Sequence, residues 1–565
     1  CDEAMDRCAA PVWCTEGRAG CAAAGDCDGD GAPAIECGGN DCDDGDARRY
    51  PGNIEVCDPA AVDEDCNPET FGELDEDGDG HVSASCCNGA RCGDDCDDSD
   101  INVNPAAREV CNGIDDDCTG IVDDPEGPAA LCPGGTCSDG VCRVDGWLLS
   151  IGGPALDTLS SVAVDPMGNV YVAGTTGSAV DLGPGPTEDR GGIVVAYDAS
   201  GVYRWHYEIP YRSEPVDIAV SDGTVYVSGV FFGTVDFGDG SRTAAGTLDG
   251  FVLWLSAADG SYRFDRQFPE RAHLAAVPDG VIVATNTTAT AGADLGNGVV
   301  PGPFMAVVKY DSAGSWQWQR VLGPLGVSHV AAAPDGSVAV VGSWSAGRNG
   351  ATVDFGGDER TLGPFETRLY VLRLDAGGAY EWVYLTGSTY SVPRAIAVTA
   401  SGAVYVAGTF TNTVSFGGEE HTADSQDGFL FALTREGAFD WDRSFGGTTD
   451  SWGGAFDSVA ALSYSETSGR LLLAGSFEGT IDLGRAPRTN TSGEPDGFVA
   501  QYSGRTLVAE DYFQSDGGGV TVTGVAAGPV GTYAVVGSFE APLVLGGARI
   551  DTRGDRDGFL YRPGI

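Results

Sequence analysis

The most regular feature of the chain is an alternation of apolar and small residues that breaks at a turn and then resumes. It is clearest as Ser161-Val-Ala-Val-Asp-Pro-Met-Gly-Asn-Val-Tyr-Val-Ala-Gly174 and again as Ala395-Ile-Ala-Val-Thr-Ala-Ser-Gly-Ala-Val-Tyr-Val-Ala-Gly408. A period of two in β-branched residues, interrupted by Asp, Pro or Gly, specifies an antiparallel hairpin. Weaker copies begin near Val216, Leu274, Val330, Val459 and Val525, making seven. A second hairpin follows each, with an aromatic at Trp205, Phe264, Trp318, Trp382 and Trp441 that is expected to pack between elements. The spacing, about sixty residues, is too long for a WD repeat and suits a four-stranded blade with one long loop.

Between the hairpins lies a marker, Val180-Asp-Leu-Gly183, repeated at Val235, Ala293, Val353 and Ile481. A catalytic carboxylate does not recur five times around a ring, so turn capping is its expected role. Trp147 to Gly153 reads as the fourth strand of a blade, and Asp557-Gly558-Phe559 as a third. The two ends of the repeat array are therefore expected to complete one blade, pairing residues 147–151 with the strand near 558–562. The pattern resembles the seven-bladed β-propeller repeats of bacterial surface proteins, which implies the fold and no activity.

Residues 1–145 lack this alternation and carry all eighteen cysteines, together with 37 Asp and Glu against 7 Arg, in a chain of net charge −53. So dense a charge needs neutralising cations or disorder, and the cysteines argue against disorder. Their number is even, no C-x-x-C pair occurs, and His81 is the only histidine nearby, so disulfides and an oxidising compartment are expected rather than zinc thiolates. Cys1, Cys8, Cys14 and Cys21, and at the other end Cys132, Cys137 and Cys142, read as closing disulfide knots. The start is expected to be processed or trimmed. Lipoprotein cleavage at Cys1 is the alternative that would add a lipid anchor, and cysteine parity weighs against it.

This acidic region is itself a repeat, residues 26–66 overlying 75–118. Asp26, Asp28 and Asp30 of D-x-D-G-D-G fall on Asp75, Asp77 and Asp79. Asp41, Asp43, Asp44 and Asp46 fall on Asp95, Asp97, Asp98 and Asp100, and Asp63 and Asp65 on Asp115 and Asp117, with Asp123 beyond. Glu55-Val56-Cys57 likewise meets Glu109-Val110-Cys111. Alternating carboxylates on a glycine-bearing turn suit a hard cation, and calcium is the natural occupant. These nineteen aspartates are the candidate ligands for several Ca2+ ions. An EF-hand is excluded: position twelve is Cys37 or Cys86, and no amphipathic helix flanks either loop.

The region, about 26–124, resembles the bacterial "putative metal-binding motif" repeats and, in style, thrombospondin type 3 repeats. Pro68 replaces the motif's glycine in the first copy. The family name has also been attached to a copper-binding surface protein; with a single imidazole here, copper is not carried over. The predicted fold class is all-β: a seven-bladed β-propeller over 146–565, preceded by an irregular, disulfide-rich, calcium-binding domain over 1–145.

Short turns within hairpins and long connections between them put Arg212, His273, His329, Tyr390, Arg394 and Trp452 on one expected ligand face. No nucleophile triad, paired Glu or phosphate loop is recognisable there. A single lysine, Lys309, and the negative charge exclude nucleic acid. The reading is an extracellular or surface calcium-binding protein, not an enzyme, whose propeller binds protein or glycan or self-associates. A propeller polysaccharide lyase or hydrolase, or a matrix or filament subunit, is the alternative.

Overall fold

A computed structural model describes residues 25–565 apart from 59, 89–90, 124–134, 139–140, 145, 183–184, 188–189, 291, 388–389, 424, 447–456, 491–492, 546–547 and 565. The chain divides into two compact units, one reaching Arg143 and the other running from Val144 to Ile565.

The second unit is a seven-bladed propeller of antiparallel sheets. Blade two shows how the sequence builds it: Ser213–Ser221, Thr224–Phe231, Asp249–Ser256 and Tyr262–Phe268 pair in that order. The two middle strands are buried at every position, because neighbouring blades cover both of their faces, and they read as near-continuous apolar runs. The inner and outer strands alternate, one face toward the channel or solvent. Apolar clusters fill the gaps between consecutive blades, as where Tyr171 and Val194 of blade one meet Val227 and Phe251 of blade two. Such burial contributes roughly 25 cal/mol per Å² and is the main source of stability here.

The aromatics of the outer strands have an inter-blade role. Trp205 lies over Gly260 of the next blade, Phe264 over Gly314, Trp318 over Gly378 and Trp382 over Gly437, each glycine at positive φ in a hairpin turn. A Cβ at Gly260 would come within 2.5 Å of the Trp205 ring. Each indole also donates to a carbonyl beside its turn, Trp205 to Ala257 at 3.0 Å and Trp382 to Arg435 at 2.8 Å.

Blade seven consists of Val520–Ala527, Tyr533–Phe539, Asp557–Arg562 and Trp147–Ile151. Trp147 pairs with Arg562 and Ile151 with Gly558. The ring is thus closed by strands from both ends of the array, and Trp147 repeats the inter-blade contact by covering Gly201 of blade one and donating to Ala199. The fully buried Arg562 donates to the same Ala199 carbonyl.

The long connection inside most blades folds as a small hairpin, such as Thr234–Asp236 with Ser241–Thr243. The marker aspartate caps its turn: Asp236 accepts the N–H of Gly238 at 2.9 Å, and Asp294, Asp354 and Asp482 repeat the arrangement. Blade six is broadened by the corresponding hairpin of blade seven, through Gln514 opposite Val544.

In the acidic unit, regular structure among the described residues is limited to one 3-10 turn and short strand pairs. Disulfides hold it. Cys42–Cys66 and Cys96–Cys118 occupy equivalent places in the two repeats, Cys57–Cys86 joins them, and Cys87–Cys92 and Cys111–Cys137 follow. Cys1, Cys8, Cys14, Cys21 and Cys132 lie outside the described residues.

Candidate functional site

In each acidic repeat a single parallel bridge, Ala34 with Asp41 and Ser83 with Asp95, lays the D-x-D-G-D-G loop against the D-C-D-D segment. Five carboxylates converge as a result: Asp26, Asp28, Asp30, Asp41 and Asp44 in the first copy, Asp75, Asp77, Asp79, Asp95 and Asp98 in the second. In the first, candidate ligand oxygens within Asp26, Asp28 and Asp30, and within Asp28, Asp41 and Asp44, lie within 4.8 Å of one another.

At least one oxygen of each carboxylate is spent on holding the loop, and Asp75 spends both, its Oδ2 accepting the N–H of Gly80. Asp26 accepts the N–H of Gly29, Asp28 that of Asp30, Asp30 that of Ala32, Asp41 that of Asp43, and Asp44 that of Cys27. Asp75, Asp77, Asp79, Asp95 and Asp98 accept from Gly78, Asp79, His81, Asp97 and Glu76 in the same way. The other Oδ2 atoms of Asp28, Asp30 and Asp41, and of Asp77, Asp79 and Asp95, are buried without a hydrogen-bond partner. Asp41 and Asp95 are only 2% and 1% exposed. An unpartnered buried carboxylate oxygen is costly, and six in matching positions are what a cation site leaves when only protein atoms are counted. Burial, then the neighbouring carboxylates, raises the pKa of Asp28, Asp41, Asp77 and Asp95.

A second acidic cluster in each repeat is built on a glutamate. Glu55 accepts the N–H groups of Glu64 and Asp65 through Oε2, while its Oε1 and the Oδ1 of Asp63 are buried without partners. Glu109, 8% exposed, accepts from Asp117 through Oε1 and leaves Oε2 unpartnered. Burial raises the pKa of both glutamates. Sequence reasoning confined to aspartates missed them, although the recurring E-V-C triplet was the signal. The Pro68 departure also shows its effect. Gly120 donates its N–H to Asp115 at 2.8 Å, whereas proline has none to offer Asp63.

The remaining predicted ligands stand outside the five-carboxylate clusters, Asp65 and Asp117 beside Glu55 and Glu109. Asp43 pairs with Arg49 at 2.8 Å, and Asp97 accepts from Ser99. Asp46 and Asp100 cap turns at Arg48 and Asn102, the latter contacts lowering the pKa of Asp100. Asp65 accepts from Asn67 and Thr70, Asp117 from Thr119, and Asp123 from Asn112 and Gly113. His81 contacts Asp94 at 3.3 Å.

On the propeller, the expected ligand face resolves differently. His273, His329 and Arg394 sit on inner strands and line the central channel of about 1110 Å³, with Glu214, Asp217 and Arg271. The hairpin register sets this: inner strands turn alternate residues to the channel. Arg212 is outside that lining, in an exposed turn at φ 80°, and Tyr390 is an exposed loop residue. Trp452 lies outside the described residues. His273 has its pKa pulled down to about 3 by burial, then by His329 and Arg271, so its imidazole is neutral at physiological pH.

Residues 41–70 and 95–124 each match the family model described as "Putative metal-binding motif", and residues 147–180 match that of the beta-propeller repeat. No curated protein matches the sequence. Among solved structures, the chain is similar to quinohemoprotein alcohol dehydrogenase from Comamonas testosteroni, at 12% identity and TM-score 0.35 over 74% of this chain and 76% of that one. Similarity also extends to Sqt1 of Saccharomyces cerevisiae, at 11% identity and TM-score 0.36 over 73% and 97%. The GH74 xyloglucanase from Xanthomonas campestris matches at 13% identity and TM-score 0.34 over 64% and 46%.

Proposed function

We propose that this is an extracellular or cell-surface calcium-binding protein, in which a disulfide-bonded arm takes its shape from several Ca2+ ions and the propeller serves as a protein or glycan interaction module. The duplicated set of buried, unpartnered carboxylate oxygens carries the reading. Its donors are all oxygen and its loops contain glycine at positive φ, Gly29 and Gly31 in one copy and Gly78 and Gly80 in the other. Flexible, carboxylate-rich oxygen coordination favours calcium over magnesium, which keeps more of its water, and over copper or zinc. The disulfides support an oxidising compartment.

The test is calcium content measured by mass spectrometry after exhaustive dialysis, on the parent and on Asp41→Asn and Asp95→Asn. Each substitution is expected to remove about one ion, because it neutralises the most buried carboxylate of one cluster. Unchanged content in both variants, or a parent that retains no calcium at all, would sink the reading.

One observation favours a second reading. Asp217, His273 and His329 form a convergent polar cluster on the channel wall, the kind of feature a propeller hydrolase or lyase needs. Binding of a glycan without turnover supports the module; turnover lost in His273→Gln supports the enzyme.

A further inference from the structure

The inner strands place one residue per blade at an equivalent register, opposite the residue that precedes, in most blades, a glycine of the second strand. Blades one to four put Ser161, Asp217, His273 and His329 there, opposite Ala173, Ser228, Ala284 and Val341. Blades five to seven put Ala395, Ala461 and Gly524. A repeated ring leads one to expect equivalent residues. Three metal-ligating side chains on consecutive blades, followed by alanine, alanine and glycine, break that symmetry on one side of the channel and leave the other side small.

We propose that Asp217, His273 and His329 form a binding site for one divalent transition-metal ion of the zinc class on the channel wall. One ligand atom from each lies within 4.8 Å of the others, a spacing compatible with donors that share an ion at roughly 2.0–2.2 Å. The imidazole centroids are 5.4 Å apart and tilted by 43°, so the rings are not stacked face to face. Two imidazoles and a carboxylate suit zinc, iron or manganese rather than calcium, which sets this site apart from the arm.

The carboxylate is held in place from outside the site. Asp217 accepts from Ser161 Oγ at 3.1 Å, from its own Ile218 N–H at 2.9 Å and from Leu274 N–H at 3.2 Å, spanning three blades. Such support orients a ligand before the ion arrives. His329 Nδ1 accepts the adjacent Val330 N–H at 3.1 Å. That contact is surrendered whichever ring nitrogen meets the metal, a modest cost. Arg271, two residues from His273, and Arg394, which lines the same channel from blade five, disfavour a bare cation and favour an ion whose open position holds an anionic ligand.

The competing account is structural: Asp217 as a pin between blades and the histidines as a packed pair. Titration of the whole protein with Co2+ in excess Ca2+, which fills the oxygen sites, separates the two. We expect one equivalent with the visible absorption of a nitrogen-ligated ion, displaced by Zn2+. Its affinity should fall about 100-fold or more in His273→Gln and in His329→Gln, with the near-ultraviolet circular dichroism of the propeller unchanged. Two histidine variants guard against one that fails to fold. Absence of the band, or an affinity untouched by both substitutions, overturns the site. Calcium content measured on the same samples keeps that outcome separate from the reading of the arm.

Discussion

The two units place opposite kinds of residue inside. In the propeller the largest fully buried side chains include Trp254, Trp344, Tyr226 and Phe251, whereas in the described part of the arm the buried apolar residues are Ala34, Cys86 and Val103. What the arm buries instead is carboxylate, Asp26, Asp41, Asp95 and Glu109 among them, while Ile54 is 79% exposed. Ordering a residue costs roughly 1–2 kcal/mol in backbone entropy. The propeller offsets this with apolar area; the arm, lacking that area, relies on disulfides that restrict its unfolded state and on ions that favour its folded one.

The largest effect should come from removing both supports of the arm at once. Reduction with chelation is expected to make residues 25–123 sensitive to limited proteolysis, while the cysteine-free propeller keeps its near-ultraviolet spectrum and a separate thermal transition. Either treatment alone should loosen the arm partially. A single cooperative melt, indifferent to reductant and chelator, would contradict the division.

Next in size is the ring closure. Deleting residues 147–151 removes the outer strand of blade seven and bares the edge of Asp557–Arg562, so aggregation is expected at concentrations where the parent is soluble. Trp147→Ala keeps the strand but loses the cover over Gly201 and the bond to Ala199. For a half-buried indole about 2 kcal/mol is expected, read as a shifted midpoint in urea for the propeller alone. An unchanged midpoint would show that the strand's backbone bonds, not its aromatic, close the ring.

How much of this was legible in the sequence follows from how local each signal is. The seven hairpins, the closing strand and the turn-capping role of Asp236 and its equivalents are matters of period and spacing within a few residues. The five-carboxylate clusters were half visible, since duplication marked the right segments but gave no way to tell Asp44, which joins the cluster, from Asp43, which turns to Arg49. That choice depends on side-chain direction across a parallel bridge. Asp217 was missed for a related reason: it lies 56 residues from His273, as His273 does from His329, and its closeness to them exists only once the blades are side by side.

The smallest expected effect also separates the units most finely, because it reverses sign. Burial raises the pKa of Asp28, Asp41, Asp77 and Asp95 above 3.8, and that of Glu55 and Glu109 above 4.5. A folded state that holds its protons more tightly than the unfolded one has a stability contribution that is present below the unfolded pKa and is lost as pH rises through the folded one. The metal-free arm, disulfides intact, should therefore gain protection as pH falls from neutrality toward about 4. With calcium bound the carboxylates must be ionised, so the same acidification should release the ion and cost protection. In the propeller the contributions are mixed and independent of calcium: Asp279, Asp335 and Asp358 have pKa values lowered by Lys309, Ser337 and Arg360, and these contributions fade on acidification, whereas burial raises the pKa of Asp157, Asp496 and Asp557, whose contributions grow. Hydrogen exchange followed by mass spectrometry, corrected for the intrinsic pH dependence of exchange, reads both units in one sample. A chelated arm that loosens in acid as the loaded arm does would mean that its carboxylates are not held against one another, and the cation clusters would lose their support.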